Sequence, residues 1–349
     1  MNTDEIIYSF SELGKILFNY LSGNKDKYTD IISNAIIKAE AENPWFTKQF
    51  IIHRLNVIKS YLEPESLQNW ISNYPEIKSQ EKNKTLTIGV VNAGNIPLVG
   101  FHDFLCVLIT GNKYYVKLSS KDSELFKLIF TILIDINPEL TPYIQVENDI
   151  LKNFDVIIAT GSNNTSRYFE YYFGRYPNII RNNKNSIAIL DGTETEEMLK
   201  KLADDIFLYF GLGCRNVSKI YLPENININE ILTHFNKYES FINHNKYVNN
   251  YEYNRAIYLL NKEEHLDTGF ALFKKSDQIF PPISVVYFDY YKKIHNLYNE
   301  ISSISGSLQC IATQIDIFKN RIDFGNTQMP DLTDYADGID TIEFLLSLK

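Results

Sequence analysis

The feature that most constrains this chain is an alternation, between Thr85 and Leu190, of short β-rich runs with segments of helical apolar spacing. Strands separated by helices in this way predict a parallel sheet built from right-handed βαβ units. Ligands of such sheets bind beyond the carboxyl ends of the strands. The predicted elements are strand Thr85–Val91 with helix Pro97–Ile109, strand Tyr114–Leu118 with helix Ser123–Ile134, strand Tyr143–Val146, and strand Asp155–Ala159 with helix Ser166–Phe173.

The regions on either side of this alternation predict further structure. From Thr3 to about Trp70, apolar residues recur every three or four positions, which predicts amphipathic helices. A second α/β stretch begins at Ser186, and Asp340–Leu348 predicts a short docking helix. We therefore expect an α/β protein with a helical N-terminal region (1–84), a parallel-sheet domain (85–184), a second, catalytic α/β domain (185–325) and a C-terminal docking segment (326–349). The elements predicted in the second domain are strands Ser186–Leu190, Ser218–Leu222, Thr268–Lys274, Ile283–Asp289 and Leu308–Thr313, and helices Glu194–Phe210, Asn229–Phe235 and Tyr290–Ile301.

Charge and cysteine content exclude several classes of protein. The formal net charge of -9 gives no general attraction for nucleic acid or anionic membranes. No apolar run approaches the roughly 18 residues of a membrane span, and charged residues interrupt the apolar N-terminus, as a signal peptide would not allow. Three cysteines are an odd number in a chain too large to need disulfides. We expect free thiols and a cytoplasmic protein.

One cysteine lies in a setting that suits a nucleophile. Cys214 follows Gly211-Leu212-Gly213 between a helix and a strand, and Arg215 is next to it. A nearby cation and backbone N–H groups favour a thiolate. A small buried residue at a tight turn is an equally good explanation of the loop alone. Cys106 and Cys310 lie in apolar runs, where a core role is the better prediction.

Three loops at predicted strand ends carry polar groups. The side-chain amide of Asn95 can donate to a developing oxyanion, although turn asparagines are more common. Hydroxyl, amide and lysine donors in the other two loops suit ribose or phosphate, although a serine there is usually a helix cap. The chain has no GxGxxG, Walker A, HExxH or GxSxG pattern, and we expect no metal site. The donors in these two loops are Lys117, Ser119, Ser120 and Lys121 after one strand, and Thr160, Gly161 and Ser162 after another.

Taken in order, these pieces resemble the aldehyde dehydrogenase superfamily, and in particular its acyl-CoA reductase branch, the family of the fatty-acid reductase of bacterial luminescence. Asn95-Ile96-Pro97-Leu98 resembles the Asn-Phe-Pro-Leu loop of that superfamily. The stretch from Gly111 to Ser119 is similar to its Gly-Asn…Val-Lys-Pro-Ser strand, and Thr160-Gly161-Ser162 to its Thr-Gly-Ser turn. The surroundings of Cys214 resemble those of its catalytic cysteine, and Ile279-Phe280-Pro281-Pro282 resembles its Glu-Ile-Phe-Gly-Pro segment.

The resemblance implies an aldehyde-dehydrogenase-like fold and a role for each motif. It implies that Cys214 is the nucleophile and that Asn95 holds the oxyanion. It further implies that Lys117 and Ser119 contact the adenosine ribose and that the Thr160 turn lies under the cofactor diphosphate. NAD-selective members commonly have a glutamate at the position of Ser120, so the chain is expected to use NADPH in preference to NADH.

Two departures from the superfamily's pattern refine the expected activity. The segment Ile179–Lys184 has no carboxylate where hydrolytic members carry a general-base glutamate, and Gln278 stands where a glutamate usually holds the nicotinamide ribose. Without a base to activate water, a thioester on the cysteine reacts with hydride or a thiol instead.

The missing carboxylate favours an acyl-CoA reductase that converts an acyl-CoA or acyl-carrier thioester to an aldehyde, whereas Gln278 puts binding of the nicotinamide ribose there in doubt. Its partners could include an acyl-transferring or acyl-activating enzyme. The sequence does not decide whether the protein forms a homo-oligomer. The alternatives are a CoA-acylating aldehyde or semialdehyde dehydrogenase and a catalytically silent nucleotide-binding subunit.

Overall fold

The chain folds into two compact units. The computed structural model describes residues 2–78, 85–161, 163–318 and 321–348. Unit 1 comprises Met1–Asn183 and Asp331–Lys349, and unit 2 comprises Lys184–Pro330. The chain therefore leaves unit 1 once and returns to it near its C-terminal end. The division into four regions made from the sequence stays a prediction.

Helices and strands alternate through most of the chain. The α-helices are α1 (Thr3–Leu21), α2 (Thr29–Glu42), α3 (Lys48–Tyr61), α4 (Pro64–Ser72), α5 (Phe101–Ile109), α6 (Ser123–Ile136), α7 (Asn163–Phe173), α8 (Glu196–Phe207), α9 (Ile228–Leu232), α10 (Asn245–Leu260), α11 (Ile294–Ser303) and α12 (Thr341–Ser347). The strands are β1 (Thr87–Val91), β2 (Lys113–Lys117), β3 (Ile144–Val146), β4 (Val156–Thr160), β5 (Asn178–Arg181), β6 (Asn185–Ile189), β7 (Val217–Pro223), β8 (Leu266–Asp267), β9 (Leu272–Lys275), β10 (Val285–Tyr291), β11 (Leu308–Thr313) and β12 (Arg321–Ile322). Short 3₁₀ helices are Pro75–Lys78, Pro138–Tyr143, Leu208–Gly211, Thr233–Asn243, Ser305–Ser307 and Ala336–Gly338.

Unit 1 is built on a parallel sheet with strand order β3-β2-β1-β4-β5. Successive side chains of a strand point to opposite faces, and both faces of this sheet are covered. Val116 belongs to the core shared with α5 and α6. Tyr115 and Ile157 belong to a second core that includes Phe169 and Phe173 of α7. The predicted parallel sheet of βαβ units is confirmed.

The N-terminal helices pack onto unit 1 by an apolar stripe. Ile6, Phe10 and Leu13 lie on one face of α1 and are fully buried in the core that contains the sheet. The helix begins with a capping box in which the Asn2 side chain accepts from the backbone and Glu5 returns the bond. The predicted helical N-terminal region is confirmed. No helix among the described residues is long and apolar enough to cross a membrane.

The returning C-terminal segment is fixed to unit 1 by polar as well as apolar contacts. Arg181, at the end of β5, donates to both carboxylate oxygens of Asp103 on α5 at 2.5 and 2.9 Å and to the Thr341 hydroxyl at 3.1 Å. All three side chains are buried. Ile342 and Leu345 of α12 are buried in the core of the unit. The bidentate pair therefore ties α12 to α5 and to the edge of the sheet.

Unit 2 contains a second sheet with strand order β12-β11-β6-β7-β10-β9-β8. Among its described pairings, β8 runs antiparallel to β9, and the others are parallel. Ile220 and Leu222 of β7 are fully buried, as expected for a strand inside a covered sheet. The predicted second α/β region is confirmed.

Several predicted boundaries are wrong. The helix predicted from Pro97 begins only at Phe101, because residues 97–100 form a turn and Leu98 has a left-handed φ of 49°. The helix predicted from Tyr290 begins at Ile294, since β10 continues through Tyr291. The helix predicted to reach Phe235 ends at Leu232 and continues as a 3₁₀ helix, and β5 and α10 were not predicted.

Candidate functional site

The carboxyl ends of β2 and β4, the two strands that pair with β1, carry the predicted cofactor-binding residues. In the register of the sheet, Val91 of β1 pairs with Lys117 of β2 and with Ala159 of β4. Thr160 is the last residue of β4. The structure thus places Lys117, Ser119, Thr160 and Gly161 along one edge, while Ser162 lies outside the described residues.

The loops after β1 and β2 touch closely at this edge. A Cβ atom added at Gly94 would lie 2.3 Å from Oγ of Ser119 and 3.1 Å from Cβ of Lys121. Only glycine therefore allows the two backbones to approach this far. Ser119 Oγ accepts from the Lys121 N–H at 3.3 Å, and Ser120 and Lys121 are exposed. The alternative that Ser120 caps the next helix is wrong, because the N-cap of α6 is Asp122.

We call residues 92–100 the Asn95 loop. Its first residue anchors it: the Asn92 N–H donates to the Lys117 carbonyl at 3.2 Å, and the Asn92 amide donates to the Tyr114 hydroxyl at 3.1 Å. Asn95 itself is exposed. The Arg54 guanidinium donates to the Leu98 carbonyl at 3.2 Å. This bond helps to keep Leu98 in its left-handed conformation.

A buried carboxyl group lies under the same loop. Asp122 is 2% exposed, and neither of its oxygens reaches hydrogen-bond geometry with a partner. Burial raises its pKa well above the usual range, although the nearby N–H groups of Leu98 and Val99 and the charge of Arg54 oppose that shift. The Asn95 loop is therefore supported by two buried ionisable groups.

The donors at this edge fit a nicotinamide dinucleotide. An ammonium group, hydroxyls and strand-end N–H groups are what ribose hydroxyls and phosphate oxygens accept from. The close approach at Gly94 leaves the hydroxyl of Ser119 half-buried on the loop. Within the described ranges no group of three His, Cys, Asp or Glu side chains is placed to hold a metal ion.

In unit 2, the segment before Cys214 has an unusual backbone; we call residues 208–216 the Cys214 loop. Tyr209, Phe210 and Gly211 have consecutive left-handed φ angles of 55°, 56° and 74°. For the two aromatic residues this conformation costs about 1–3 kcal/mol each. Ring packing offsets part of the cost, because Phe210 lies 4.5 Å from Phe241 and 4.4 Å from His244 between ring centroids.

Cys214 is half-buried and held through its main chain. The Ser186 hydroxyl donates to the Cys214 carbonyl at 3.0 Å. Nε of Arg215 donates to the Thr327 carbonyl at 2.5 Å. The sequence predicts a cation beside the thiol. In the structure, the same arginine also connects the Cys214 loop to the segment around Thr327, 112 positions further along the chain.

The segment around Thr327 is bound by the buried carboxylate of Asp205. Asp205 on α8 accepts from the N–H of Gly325 at 2.7 Å and from the N–H and hydroxyl of Thr327 at 3.0 and 2.8 Å. Burial raises the pKa of Asp205 to about 6, even though these bonds favour the charged form. Asp205, Thr327 and Arg215 thus form a chain of contacts that ends next to Cys214.

The other two cysteines are buried, as predicted. Burial raises the pKa of the Cys106 thiol well above its usual range. It raises that of Cys310 to about 11, although Arg215 and the hydrogen bond to Ser186 act in the opposite direction. Cys214 is therefore the most accessible of the three thiols.

The structure separates the predicted residues into two sets. Asn95 and the described cofactor-binding residues belong to unit 1, and Cys214 belongs to unit 2. Gln278 is exposed in unit 2, next to Ile279, whose carbonyl accepts from Asn185 and Ser218. Sequence reasoning missed supporting residues whose partners are far along the chain or carry no local motif: Arg54, Asp122, Ser186, Asp205 and Thr327.

Comparisons with known proteins show to which family the chain belongs. The family model "Acyl-CoA reductase (LuxC)" matches residues 26–240, which include Asn95 and Cys214. A long-chain acyl-protein thioester reductase of Aliivibrio fischeri is 24% identical over 220 residues, covering 58% of this chain and 45% of that protein. A second such enzyme, from Photobacterium leiognathi, is 26% identical over 184 residues, covering 48% and 38%. The chain spans less than half the length of these curated relatives.

Solved structures show the fold. The structure of an aldehyde dehydrogenase from Physcomitrella patens matches this chain with a TM-score of 0.63 at 12% identity. The match covers 99% of this chain and 84% of the Physcomitrella chain. An aldehyde dehydrogenase of Mycobacterium tuberculosis, complexed with NAD+, has a TM-score of 0.63 at 11% identity and covers 92% and 75%. The fold is aldehyde-dehydrogenase-like, and the chain belongs to the LuxC family of acyl-CoA reductases.

Proposed function

We propose that this chain reduces an acyl thioester to an aldehyde with a nicotinamide cofactor, through a thioester on Cys214. The observation that carries the proposal is the coincidence of the family match with the Cys214 loop, where a half-buried thiol follows a glycine and precedes a tethered arginine. The names of the relatives support a long-chain acyl group and a protein thiol as its carrier. The family description supports acyl-CoA.

The proposed first step is acyl transfer to the enzyme. The Cys214 thiolate attacks the thioester carbonyl carbon, and the C–S bond to the carrier breaks so that the carrier thiol leaves with one proton. The Cys214 N–H and the Asn95 amide are proposed to donate to the tetrahedral oxyanion. Arg215 favours the thiolate by its charge, since the bond to Thr327 keeps the guanidinium next to the loop.

The second step is reduction, for which the bound cofactor would supply a hydride. The residues proposed to hold it are Lys117 and Ser119 at the adenosine ribose and the turn formed by Thr160, Gly161 and Ser162 at the diphosphate. The exposed Ser120 and Lys121 support a preference for NADPH, because they can donate to a 2′-phosphate. The three free thiols support a reducing compartment such as the cytoplasm.

The segment without a carboxylate supports reduction over hydrolysis. Arg181 is bound to Asp103 and Thr341 in the interior of unit 1, and Asn182 and Asn183 follow it on the surface. None of these side chains is a general base. Aldehyde plus NAD(P)+ should therefore turn over much faster with CoA than without it, whereas rapid acid formation without CoA would contradict this step.

The decisive experiment is covalent labelling. Wild-type protein incubated with tetradecanoyl-CoA, or with the same acyl group on a carrier protein, is expected to gain one acyl group by intact-mass spectrometry and to lose it as aldehyde when NADPH is added. Cys214→Ala should take up none, and Cys106→Ala, which removes a buried thiol of unit 1, should be acylated normally. A wild type that binds NADPH but is never acylated would be a silent subunit and would overturn the proposal.

A further inference from the structure

Asn216, two residues after Cys214, makes more contacts to the Cys214 loop than any other side chain described above. It is 2% exposed. Its Oδ1 accepts from the Gly213 N–H at 2.8 Å, and its own backbone N–H donates to the Gly213 carbonyl at 3.0 Å. Both peptide groups that flank the Cα of Gly213 are thus bound to one residue.

The other half of the Asn216 amide binds the end of the preceding helix. Nδ2 donates to the carbonyls of Asp205, Ile206 and Leu208 at 3.1, 3.2 and 2.9 Å. The last carbonyls of a helix have no partner within the helix, so the amide caps α8. It therefore links the helix to the loop across the left-handed segment, and it does so without a charge.

These contacts set the direction of one particular N–H group. The Gly213–Cys214 peptide bond is trans, as are the others among the described residues, so the Cys214 N–H points opposite to the Gly213 carbonyl across their shared peptide plane. Asn216 holds that carbonyl. Gly213 has no side chain to restrict rotation about its backbone bonds, so the two bonds to Asn216 restrain the Gly213–Cys214 peptide plane. The Ser186 hydroxyl restrains the next peptide group, because it donates to the Cys214 carbonyl.

We propose that Asn216 is a positioning residue that aims the Cys214 backbone N–H at the oxyanion of the acyl-transfer step. This inference rests on the proposed function, because it assigns the N–H a purpose only if an oxyanion forms at Cys214. The residue acts through Gly213 and does not touch the substrate. Asn216 should therefore affect the rate of acyl transfer and not the reactivity of the Cys214 thiol.

Two reactions of the same thiol separate these effects. Acylation by an acyl-CoA forms an oxyanion, whereas alkylation by iodoacetamide displaces iodide from a saturated carbon and forms none. Asn216→Ala is expected to slow acylation about ten- to hundredfold, less than the loss of a whole oxyanion donor, and to change alkylation by no more than about threefold. In steady state, kcat should fall while KM for the acyl-CoA changes little.

The matched control is Asn254→Ala. Asn254 is also a buried asparagine of unit 2, and its amide donates to the carbonyls of Asn250 and Ile283 at 2.9 and 3.0 Å. Its replacement should lower the melting temperature comparably and leave the ratio of acylation to alkylation unchanged. Equal slowing of both reactions in Asn216→Ala, or no slowing of acylation, would overturn the inference.

A second variant keeps the test decisive if Asn216→Ala does not fold. Asn216→Asp retains an acceptor for the Gly213 N–H but cannot donate to the three carbonyls. It should be less stable than wild type and still keep an acylation-to-alkylation ratio within about tenfold of wild type, whereas a ratio more than about tenfold below wild type would contradict the role of the Gly213 bonds. If wild type itself is never acylated on Cys214, the proposed function fails, and that result is separate from the comparison of variants.

Discussion

The Asn95 loop and the Cys214 loop are both irregular segments beside a sheet, and they are supported in opposite ways. Beneath the Asn95 loop lie two buried ionisable side chains, Arg54 and Asp122, whose polar atoms are only partly satisfied. The Cys214 loop is held mainly by neutral groups, the Asn216 amide and the Ser186 hydroxyl, together with one charged contact from Arg215 to the Thr327 carbonyl. Loss of one partner leaves an uncompensated charge in the first case and an unsatisfied hydrogen-bonding group in the second, and the first costs more.

Each loop lies near a buried carboxyl group. Beneath the Asn95 loop, burial raises the pKa of Asp122 and the charge of Arg54 opposes that rise, so the protonation of Asp122 is coupled to the arginine that binds the Leu98 carbonyl. Near the Cys214 loop, the buried carboxyl group of Asp205 binds Thr327, whose carbonyl in turn accepts from Arg215 of the loop.

The largest expected effect comes from removing one charge beneath the Asn95 loop. Arg54→Met removes the donor to the Leu98 carbonyl and the cation whose charge favours ionised Asp122, which should lower the free energy of unfolding by about 3 kcal/mol. Urea denaturation measures the loss. Lys59→Met, on the same helix but paired with Glu63 at the surface, should cost less than about 1 kcal/mol. The double variant Arg54→Met with Asp122→Asn should recover much of the loss, and a failure to do so would mean that the two groups are not coupled.

The next effect concerns pH. The pKa of Asp205 is about 6 in the folded chain, above its ordinary value of 3.8, so the folded state binds the proton more tightly than the unfolded state does. Its contribution to stability is therefore largest at low pH and falls as pH rises through about 6, by up to about 3 kcal/mol in total. The unfolding free energy of wild type minus that of Asp205→Asn should be larger at pH 5 than at pH 7. A difference independent of pH would contradict the assignment.

A smaller effect tests the neutral support of the Cys214 loop. Ser186→Ala removes the donor to the Cys214 carbonyl and the acceptor of the Cys310 N–H, which lies 3.2 Å from Oγ. We expect a loss of about 1–3 kcal/mol in stability, measured by thermal unfolding, and about fivefold slower acylation. Ser218→Ala is the control, since that hydroxyl donates to the carbonyls of Ser186 and Ile279 and, among the described contacts, not to Cys214. Equal effects of the two variants on acylation would mean that the Cys214 carbonyl does not need Ser186.

The smallest effect is on cofactor choice at the exposed edge of unit 1. Ser120→Glu places a carboxylate where a 2′-phosphate is proposed to bind, so the ratio of kcat/KM for NADPH to that for NADH should fall about tenfold or more. Thr131→Glu adds the same charge to an exposed position of α6 and should leave the ratio unchanged. A wild type that already prefers NADH would show that this loop does not read the 2′ position.

Strand and helix alternation could be predicted because apolar spacing is a local property. The register that brings Lys117 beside Val91 follows from it, since parallel strands end at one edge. Two elements were not predicted, because their own sequences carry no clear periodic pattern. The strand β5 has only four residues and lies at the sheet edge, and α10 has exposed Leu259 and Leu260 and no single apolar face. The turn at Leu98 could not be foreseen, because Pro97 also fits the first turn of a helix.

The supports of both loops were beyond sequence reasoning because their partners are remote. Arg54 reaches a carbonyl 44 positions away, and Asp205 reaches Gly325 across 120. Nothing in the neighbourhood of either residue distinguishes it from a surface charge. The cysteine and its glycines were visible as a motif, whereas the geometry that restrains them was not.

The return of the chain to unit 1 sets an order of events during translation. Arg181 and Asp103 are synthesised before unit 2, but Thr341, Ile342 and Leu345 follow it. At about 5–20 residues per second, the ribosome needs roughly 7 to 30 seconds to make the intervening residues. Throughout that interval the apolar surface of unit 1 that Ile342 and Leu345 will cover is open on the nascent chain.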